Sequence, residues 1–206
     1  MNVNLIQSTP NPVETISQIA SICYDSNPKD PMKLVKHLYK SGHHSVFEHI
    51  YFTFKIESIS RACSHQLVRH RMCSFTQRSQ RYCSEADFNF VTPHSVFKNS
   101  AISSYDYAMY DIAEQYNNLQ LTGMPKEDAR YVLPNACSTD LYLSCNLREL
   151  IHICNERLCS KAQWEIRELV QKMVALVDPK LQFMLVPKCK SGRIICNTPC
   201  NKKEVK

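Results

Sequence analysis

The scarcity of glycine is the feature that most constrains what this chain can fold into. Its 206 residues include three glycines, Gly42, Gly123 and Gly192. None of them lies in a glycine-rich pattern that would bring backbone N–H groups against a phosphate at the start of a helix. A nucleotide-binding fold built on a glycine loop is therefore excluded, and side chains must hold the phosphates of any nucleotide that binds.

Hydrophobic patterning predicts strands and helices interspersed along the chain. Apolar and polar residues alternate from Ile50 to Ile56, which indicates a strand with one buried face. Apolar residues at helical spacing predict helices over residues 13–23, 32–41, 60–71, 99–121 and 146–177, the last with Asn146 as its N-cap. Further strands are predicted at Val3 and Leu5, over 82–91 and over 140–145. Such a mixture predicts an α+β fold, with a sheet packed against long helices.

Length and cysteine content indicate an intracellular protein with one main domain. We predict a catalytic domain over residues 1–187 and a basic, cysteine-containing tail over 188–206. The 11 cysteines are an odd number, no secretory signal precedes them, and no apolar run reaches the length of a membrane span. We therefore expect free thiols, a cytoplasmic location and no membrane partner.

Two groups of residues contain possible metal ligands, and neither group is assigned to a metal. His37, His43, His44 and His49 match no common zinc spacing. Cys189, Cys196 and Cys200 lack the paired C-x-x-C pattern of a zinc ribbon, so no metal is expected and the role of these cysteines stays open.

The densest polar cluster runs from Gln66 to Tyr82. It holds four arginines, three glutamines and two serines within 17 residues. Guanidinium groups bind phosphate and carboxylate through paired hydrogen bonds, while hydroxyl and amide groups suit the edge of a pyrimidine. The net charge of +6 also suits an anionic ligand, without choosing between a nucleotide and a nucleic acid.

Several segments resemble those of the flavin-dependent thymidylate synthases. Arg69-His70-Arg71, seven residues and then Ser79 match the family's R-H-R-x7-S signature. Four further segments resemble family segments and follow in the family order: Gly42 to His49, Pro125 to Pro134, Asn146 to Leu150, and Ala162 to Arg167. The resemblance covers about residues 30–187.

The resemblance implies an activity and its partners. Such enzymes methylate dUMP to dTMP, with methylenetetrahydrofolate as the carbon donor and FAD, reduced by NADPH, as the hydride source. They are homotetramers whose active sites are shared between subunits. The same resemblance implies a chemistry in which no cysteine nucleophile is required.

The resemblance also implies roles for individual residues, by their match to the family's motifs. FAD contacts are implied for Ser45, Arg69, His70, Arg71, Gln77, Asn146, Arg148 and His152. Contacts with dUMP are implied for Gln66, Arg69, Gln77, Arg78, Ser79, Gln80, Arg81, Arg130 and Arg157. Arg157 is also implied as the catalytic residue, since a fixed guanidinium stabilises negative charge on the uracil ring. His43 and Glu48 match residues near the flavin and folate, with roles left open.

Two positions depart from the pattern of some family members. Gln77 stands where some carry Glu, which puts any acidic role there in doubt, and His152 stands where some carry Asn. The alternative from another class is a nucleic-acid-binding module that uses the arginine-rich loop 69–81. It would need a long basic face with exposed aromatic residues rather than one compact site, and we expect no nucleic-acid partner.

Overall fold

The strand that follows Ile50 forms the centre of the sheet. Strand β2 runs over Tyr51–Ser60, and Phe52, Phe54 and Ile56 are buried on one face as their alternation predicts. The computed structural model describes residues 1–192, 196–197 and 199–200, with the side chain of Tyr24 left out. The other strands are β1 (Asn2–Ser8), β3 (Ser74–Gln77) and β4 (Ser138–Asn146). They form a four-stranded antiparallel sheet in the order β1-β2-β4-β3.

The helices alternate with these strands, which confirms the predicted α+β class. They are α1 (Pro12–Ser21), α2 (Pro31–Ser41), α3 (Arg61–Leu67), α4 (His94–Lys98), α5 (Ile102–Leu121), α6 (Lys126–Ala129), α7 (Leu147–Arg157) and α8 (Trp164–Leu176). Gly42 ends α2 with a φ of 81°, a left-handed conformation that glycine adopts without strain. None of the helices described is both long enough and apolar enough to span a bilayer.

The chain divides into two compact units. The first comprises residues 1–2, 56–67 and 76–141, and the second comprises 3–55, 68–75 and the described residues from 142 onward. In the first unit, Phe88 and Cys137 pack with Met109 of α5, and the ring of Tyr116 is fully buried. In the second unit, α1 packs against α2 and α7 packs against α8. The domain boundaries expected from the sequence stay a prediction.

Three of the predicted elements are wrong in extent or type. The helix expected to reach about Arg71 ends at Leu67. The strand expected over 82–91 is a loop whose Phe90 forms one isolated bridge with Cys137, because its aromatic side chains pack on α5 instead of joining a sheet. The helix expected to reach Val177 is two helices, with residues 158–163 between α7 and α8.

Candidate active site

Helix α7 and its N-cap carry four of the predicted site residues. Its N-cap is Asn146, whose side-chain oxygen accepts a hydrogen bond of 2.9 Å from the backbone N–H of Glu149. The cap fixes the first turn, and Arg148 and His152, four residues apart, project on the same side. Asn146, Arg148 and His152 all line one cavity of about 590 Å³, together with Glu48 and Met72.

His70 is the buried centre of this cluster. Only 5% of the residue is exposed, and Arg157 donates a hydrogen bond of 3.0 Å from its Nε to the Nε2 of His70. Because arginine stays protonated, the Nε2 of His70 must be the acceptor, and its proton lies on Nδ1. That Nδ1 lies 3.5 Å from a carboxylate oxygen of Glu149. The fold therefore places the guanidinium of Arg157, the imidazole of His70 and the carboxylate of Glu149 in a row.

The protonation states in this row follow from burial and charge. Burial lowers the pKa of His70 to about 4, with further lowering from the charges of Arg157 and His152. Burial also raises the pKa of Glu149 above its usual range, against the opposing effect of His152. His70 is therefore neutral at physiological pH.

The side chains of His70, Glu149 and His152 form the one group in the described part of the chain whose possible metal-binding atoms lie within 4.8 Å of one another. The two imidazole rings meet edge to face, with centroids 5.6 Å apart. A cation here would have to compete with Arg157, which already uses the lone pair of His70 Nε2 and repels positive charge. The arrangement therefore suits an organic ligand better than a metal ion.

The mouth of this cavity carries an exposed ion pair. Arg148 donates to Glu48, and about half of each side chain is accessible to solvent. Glu48 lies in the 3-10 turn Ser45–His49, which packs against α7 and begins with the exposed Ser45. Arg69 and Arg71, on either side of the buried His70, are both exposed. The structure thus gathers five of the sequence-predicted residues: His70, Asn146, Arg148, His152 and Arg157.

The first unit holds the second half of the arginine-rich loop, from residue 76 onward. Arg78 donates to the buried carboxylate of Glu85 and, over 3.1 Å, to the backbone oxygen of Ser84. The backbone oxygen of Arg78 in turn accepts a 3.0 Å hydrogen bond from the guanidinium of Arg61. Burial raises the pKa of Glu85, whereas the adjacent Arg78 lowers it. The Arg78–Glu85 pair therefore fixes the start of the loop that follows β3.

Two other arginines of this unit converge on Glu127. Arg81 donates to its carboxylate through both Nε and Nη2, at 2.9 and 2.8 Å. Arg130 donates from Nε to its backbone oxygen at 3.0 Å. About half of each side chain in the Arg81–Glu127 pair is exposed, so an incoming anion has access to it. The sequence predicted Arg81 and Arg130 as phosphate ligands, and the structure brings them to one residue.

The remaining predicted residues of this unit are half-buried and hydrogen-bonded within it. Gln77 donates to the hydroxyls of Ser64 and Thr139, at 3.0 and 3.2 Å. Gln66 donates to the backbone oxygen of Ala62 at 3.2 Å, and the Ser79 hydroxyl accepts a 3.2 Å bond from the backbone N–H of Arg81. The amide of Gln80 lies 3.6 Å from the sulfur of Cys137.

Sequence reasoning missed two carboxylates that organise these clusters. Glu149 lies three residues before His152 and hence on the same side of α7. No sequence signal links Glu127 to Arg81, 46 residues earlier.

A family model and several known proteins match most of this chain. The family model described as "Thymidylate synthase complementing protein" matches residues 4–181. The flavin-dependent thymidylate synthase of Geobacter sulfurreducens is 42% identical over 190 residues, covering 86% of this chain and 82% of the relative. The protein of the same name from Pyrococcus furiosus is 39% identical over 189 residues, with 84% and 78% covered. The one from Clostridium tetani is 35% identical over 222 residues, with 93% and 89% covered.

Proposed function

The chain belongs to the flavin-dependent thymidylate synthase family, and from that membership we propose that it converts dUMP to dTMP by reductive methylation. The carbon donor is methylenetetrahydrofolate, and the cofactor is FAD. When bound and reduced by NADPH, the FAD supplies the hydride.

The observation that carries this proposal is the cavity beside α7. Its volume of about 590 Å³ lies within the usual range for small-molecule and cofactor sites. Its wall offers what a flavin needs: an amide at Asn146, a cation at Arg148, an imidazole at His152 and an apolar side chain at Met72. We propose that these residues, with His70 behind them, hold the FAD. The donors are side chains, in keeping with a chain of three glycines.

Arg157 is proposed as the catalytic residue. Its Nε donates to the neutral imidazole of His70, a partner that carries no opposing charge. A preorganised cation in a water-poor site stabilises negative charge that develops on a uracil ring. His70 acts as a positioning residue, since its Nε2 fixes the direction of the guanidinium.

The phosphate of dUMP is proposed to bind Arg81 and Arg130. Both already meet at Glu127, and a phosphate oxygen can accept from Nε and Nη2 of Arg81 as the Glu127 Oε2 does. Gln66, Gln77, Arg78, Ser79 and Gln80 complete the proposed nucleotide site. Within it, Arg78 acts through its pair with Glu85, which holds the loop in place.

A homotetramer with shared active sites is also proposed. Several large apolar side chains of the first unit are exposed, and four of them are tyrosines: Tyr82, Tyr107, Tyr110 and Tyr131. Exposed aromatic residues of this kind are enriched at subunit interfaces. Sedimentation equilibrium of the flavin-loaded protein tests the assembly, and a monomeric mass would contradict it.

One experiment tests the proposed cofactor and substrate together. The apoprotein is titrated with FAD and, separately, with FMN, and NADPH oxidation is then measured with and without dUMP. We expect FAD to bind with a perturbed flavin spectrum, and dUMP to change the rate of NADPH oxidation. His152→Ala should weaken FAD binding, whereas Lys172→Ala, an exposed change on α8, should not. A protein that binds neither flavin, or that binds single-stranded nucleic acid in place of dUMP, would contradict the proposal.

A further inference from the structure

Glu149 is a buried carboxylate whose orientation the helix that carries it does not explain. It lies three residues after the N-cap Asn146, the spacing at which a glutamate can return a hydrogen bond to the backbone of the cap residue. In the described part of the chain its carboxylate makes no such bond and instead approaches the imidazole of His70. Only 10% of the side chain is exposed. Burying a carboxylate is costly unless a polar group faces it, and here that group is the imidazole.

The imidazole of His70 lies between two side chains of α7. Glu149 is in the first turn of this helix and Arg157 is its last residue, about 12 Å away along the axis at 1.5 Å per residue. Both side chains reach the same ring: Oε1 of Glu149 lies 3.5 Å from Nδ1, and Nε of Arg157 donates to Nε2 over 3.0 Å. All three residues belong to the second compact unit. One helix therefore contacts both nitrogen atoms of the ring.

The two contacts require the same tautomer of the ring. A guanidinium only donates hydrogen bonds, so Nε2 must present its lone pair to Arg157, and the proton of the neutral ring lies on Nδ1. A carboxylate oxygen at 3.5 Å attracts the Nδ1–H dipole and favours that tautomer. In the other tautomer, Nδ1 would direct a lone pair at the carboxylate and Nε2 would direct a proton at the guanidinium. Glu149 therefore acts on Arg157 through the ring of His70.

We propose that Glu149 is a positioning residue for the reaction, which holds His70 in the Nδ1–H tautomer so that Nε2 directs the guanidinium of Arg157. It acts through the imidazole and needs no proton transfer. The carboxylate of a hydrolase triad likewise fixes the tautomer and orientation of an imidazole that serves a third group. The inference rests on the proposed catalytic role of Arg157, but the tautomer of His70 is measured without any reaction.

The test uses the full chain with nitrogen-15-labelled histidine, and saturating FAD is added for the kinetic measurements. In the wild type at neutral pH, the nitrogen shifts of His70, assigned by their loss in His70→Gln, should show a protonated Nδ1 and an unprotonated Nε2. Glu149→Leu removes the acceptor, so protonated Nε2 should appear, and kcat for dTMP formation should fall by about tenfold or more, with a smaller change in the KM for dUMP. Glu149→Gln keeps an acceptor oxygen and should restore the tautomer and most of the rate. The matched control is Glu156→Leu, at an exposed position of the same helix, which should change neither.

A second variant without an acceptor guards against misfolding of Glu149→Leu. Glu149→Ala introduces the best helix former and should give the same change of tautomer and the same loss of kcat. The proposal is overturned if the folded variants keep the wild-type tautomer, or if kcat is equal in Glu149→Gln and Glu149→Leu. A wild-type protein that makes no dTMP would contradict the proposed function instead, and the tautomer in Glu149→Leu would still decide whether the carboxylate orients His70.

Discussion

The two clusters of predicted site residues hold their arginines in different ways. In the unit that contains α7, Arg157 donates to His70, a buried and neutral imidazole. In the other unit, Arg78 and Arg81 each pair with a carboxylate, buried at Glu85 and exposed at Glu127. A neutral imidazole adds no opposing charge beside the guanidinium that donates to it, whereas a carboxylate competes with an anionic ligand for its arginine. Arg157 is therefore suited to catalysis. Arg78 supports the loop that follows β3, and Arg81 can exchange its exposed carboxylate partner for a ligand.

The largest effect is expected at Arg157. Arg157→Ala should lower kcat for dTMP formation by about 10²–10³-fold, the range seen when one preorganised donor to a developing anion is removed. FAD binding should persist, because Asn146, Arg148 and His152 remain. Arg157→Lys should recover part of the rate, since it keeps the charge without the planar fork. An unchanged kcat in Arg157→Ala would contradict the proposed catalytic role of its guanidinium.

The next largest effect concerns stability at the buried carboxylate. Glu85→Gln should lower the free energy of unfolding by about 2 kcal/mol, because it leaves the guanidinium of Arg78 without its buried counter-charge. The matched change at the exposed pair, Glu127→Gln, should cost less than about 1 kcal/mol. Urea unfolding of both variants measures the two losses in the free energy of unfolding. Equal losses would mean that Glu85 and Glu127 hold their arginines alike.

A third prediction concerns the protonation of His70. Its folded pKa of about 4 lies below the ordinary value of 6.5, so the unfolded chain binds more protons between these two pH values. The stability that His70 contributes is therefore full above pH 6.5 and falls, at up to about 1.4 kcal/mol per pH unit, as the pH drops towards 4. The raised pKa of Glu149 works in the opposite direction. We expect the pH slope of stability in this window to be steeper for the wild type than for His70→Gln.

The pKa of His70 can also be read directly by NMR titration of its imidazole. We expect about 4 in the wild type and a higher value in Arg157→Ala, where the neighbouring positive charge is absent. A wild-type pKa near 6.5 would show that the imidazole is not held neutral by its surroundings.

The smallest effect is expected at the exposed pair. Glu127→Gln removes a carboxylate that competes with the phosphate for Arg81, and an exposed ion pair is worth about 0.2–1 kcal/mol. The KM for dUMP should therefore fall by up to about fivefold, with kcat unchanged. Glu168→Gln, in an exposed pair with Lys172 on α8, is the matched control and should leave KM as it is. A rise in KM for Glu127→Gln would show that Glu127 helps to position the arginines.

The comparison also shows what the sequence could supply. Alternation over β2 and the cap at Asn146 were readable because each is a local pattern with a local cause. The family segments indicated His70, Arg148 and His152 as neighbours of one ligand, and the fold places all three in a single cluster around the α7 cavity.

What the sequence could not supply are contacts between distant residues. The apolar spacing continues from α7 into α8, so periodicity alone did not reveal the break at 158–163, where Cys159 turns towards Cys200. The loop over 82–91 alternates like a strand, but its aromatic residues pack on α5. Glu85 and Glu127 meet Arg78 and Arg81 because the fold brings these segments of the chain together. Sequence spacing gives no signal of that approach.

The most direct test of the account is the fate of the carbon donor in a single assay. The protein is incubated with FAD, NADPH, dUMP and methylenetetrahydrofolate labelled at the methylene carbon, and the nucleotide is analysed by mass spectrometry. We expect labelled dTMP that requires all four components and is nearly absent with Arg157→Ala. Unlabelled dUMP recovered from a folded, FAD-loaded protein, or label transfer that is equally fast with Arg157→Ala, would contradict it.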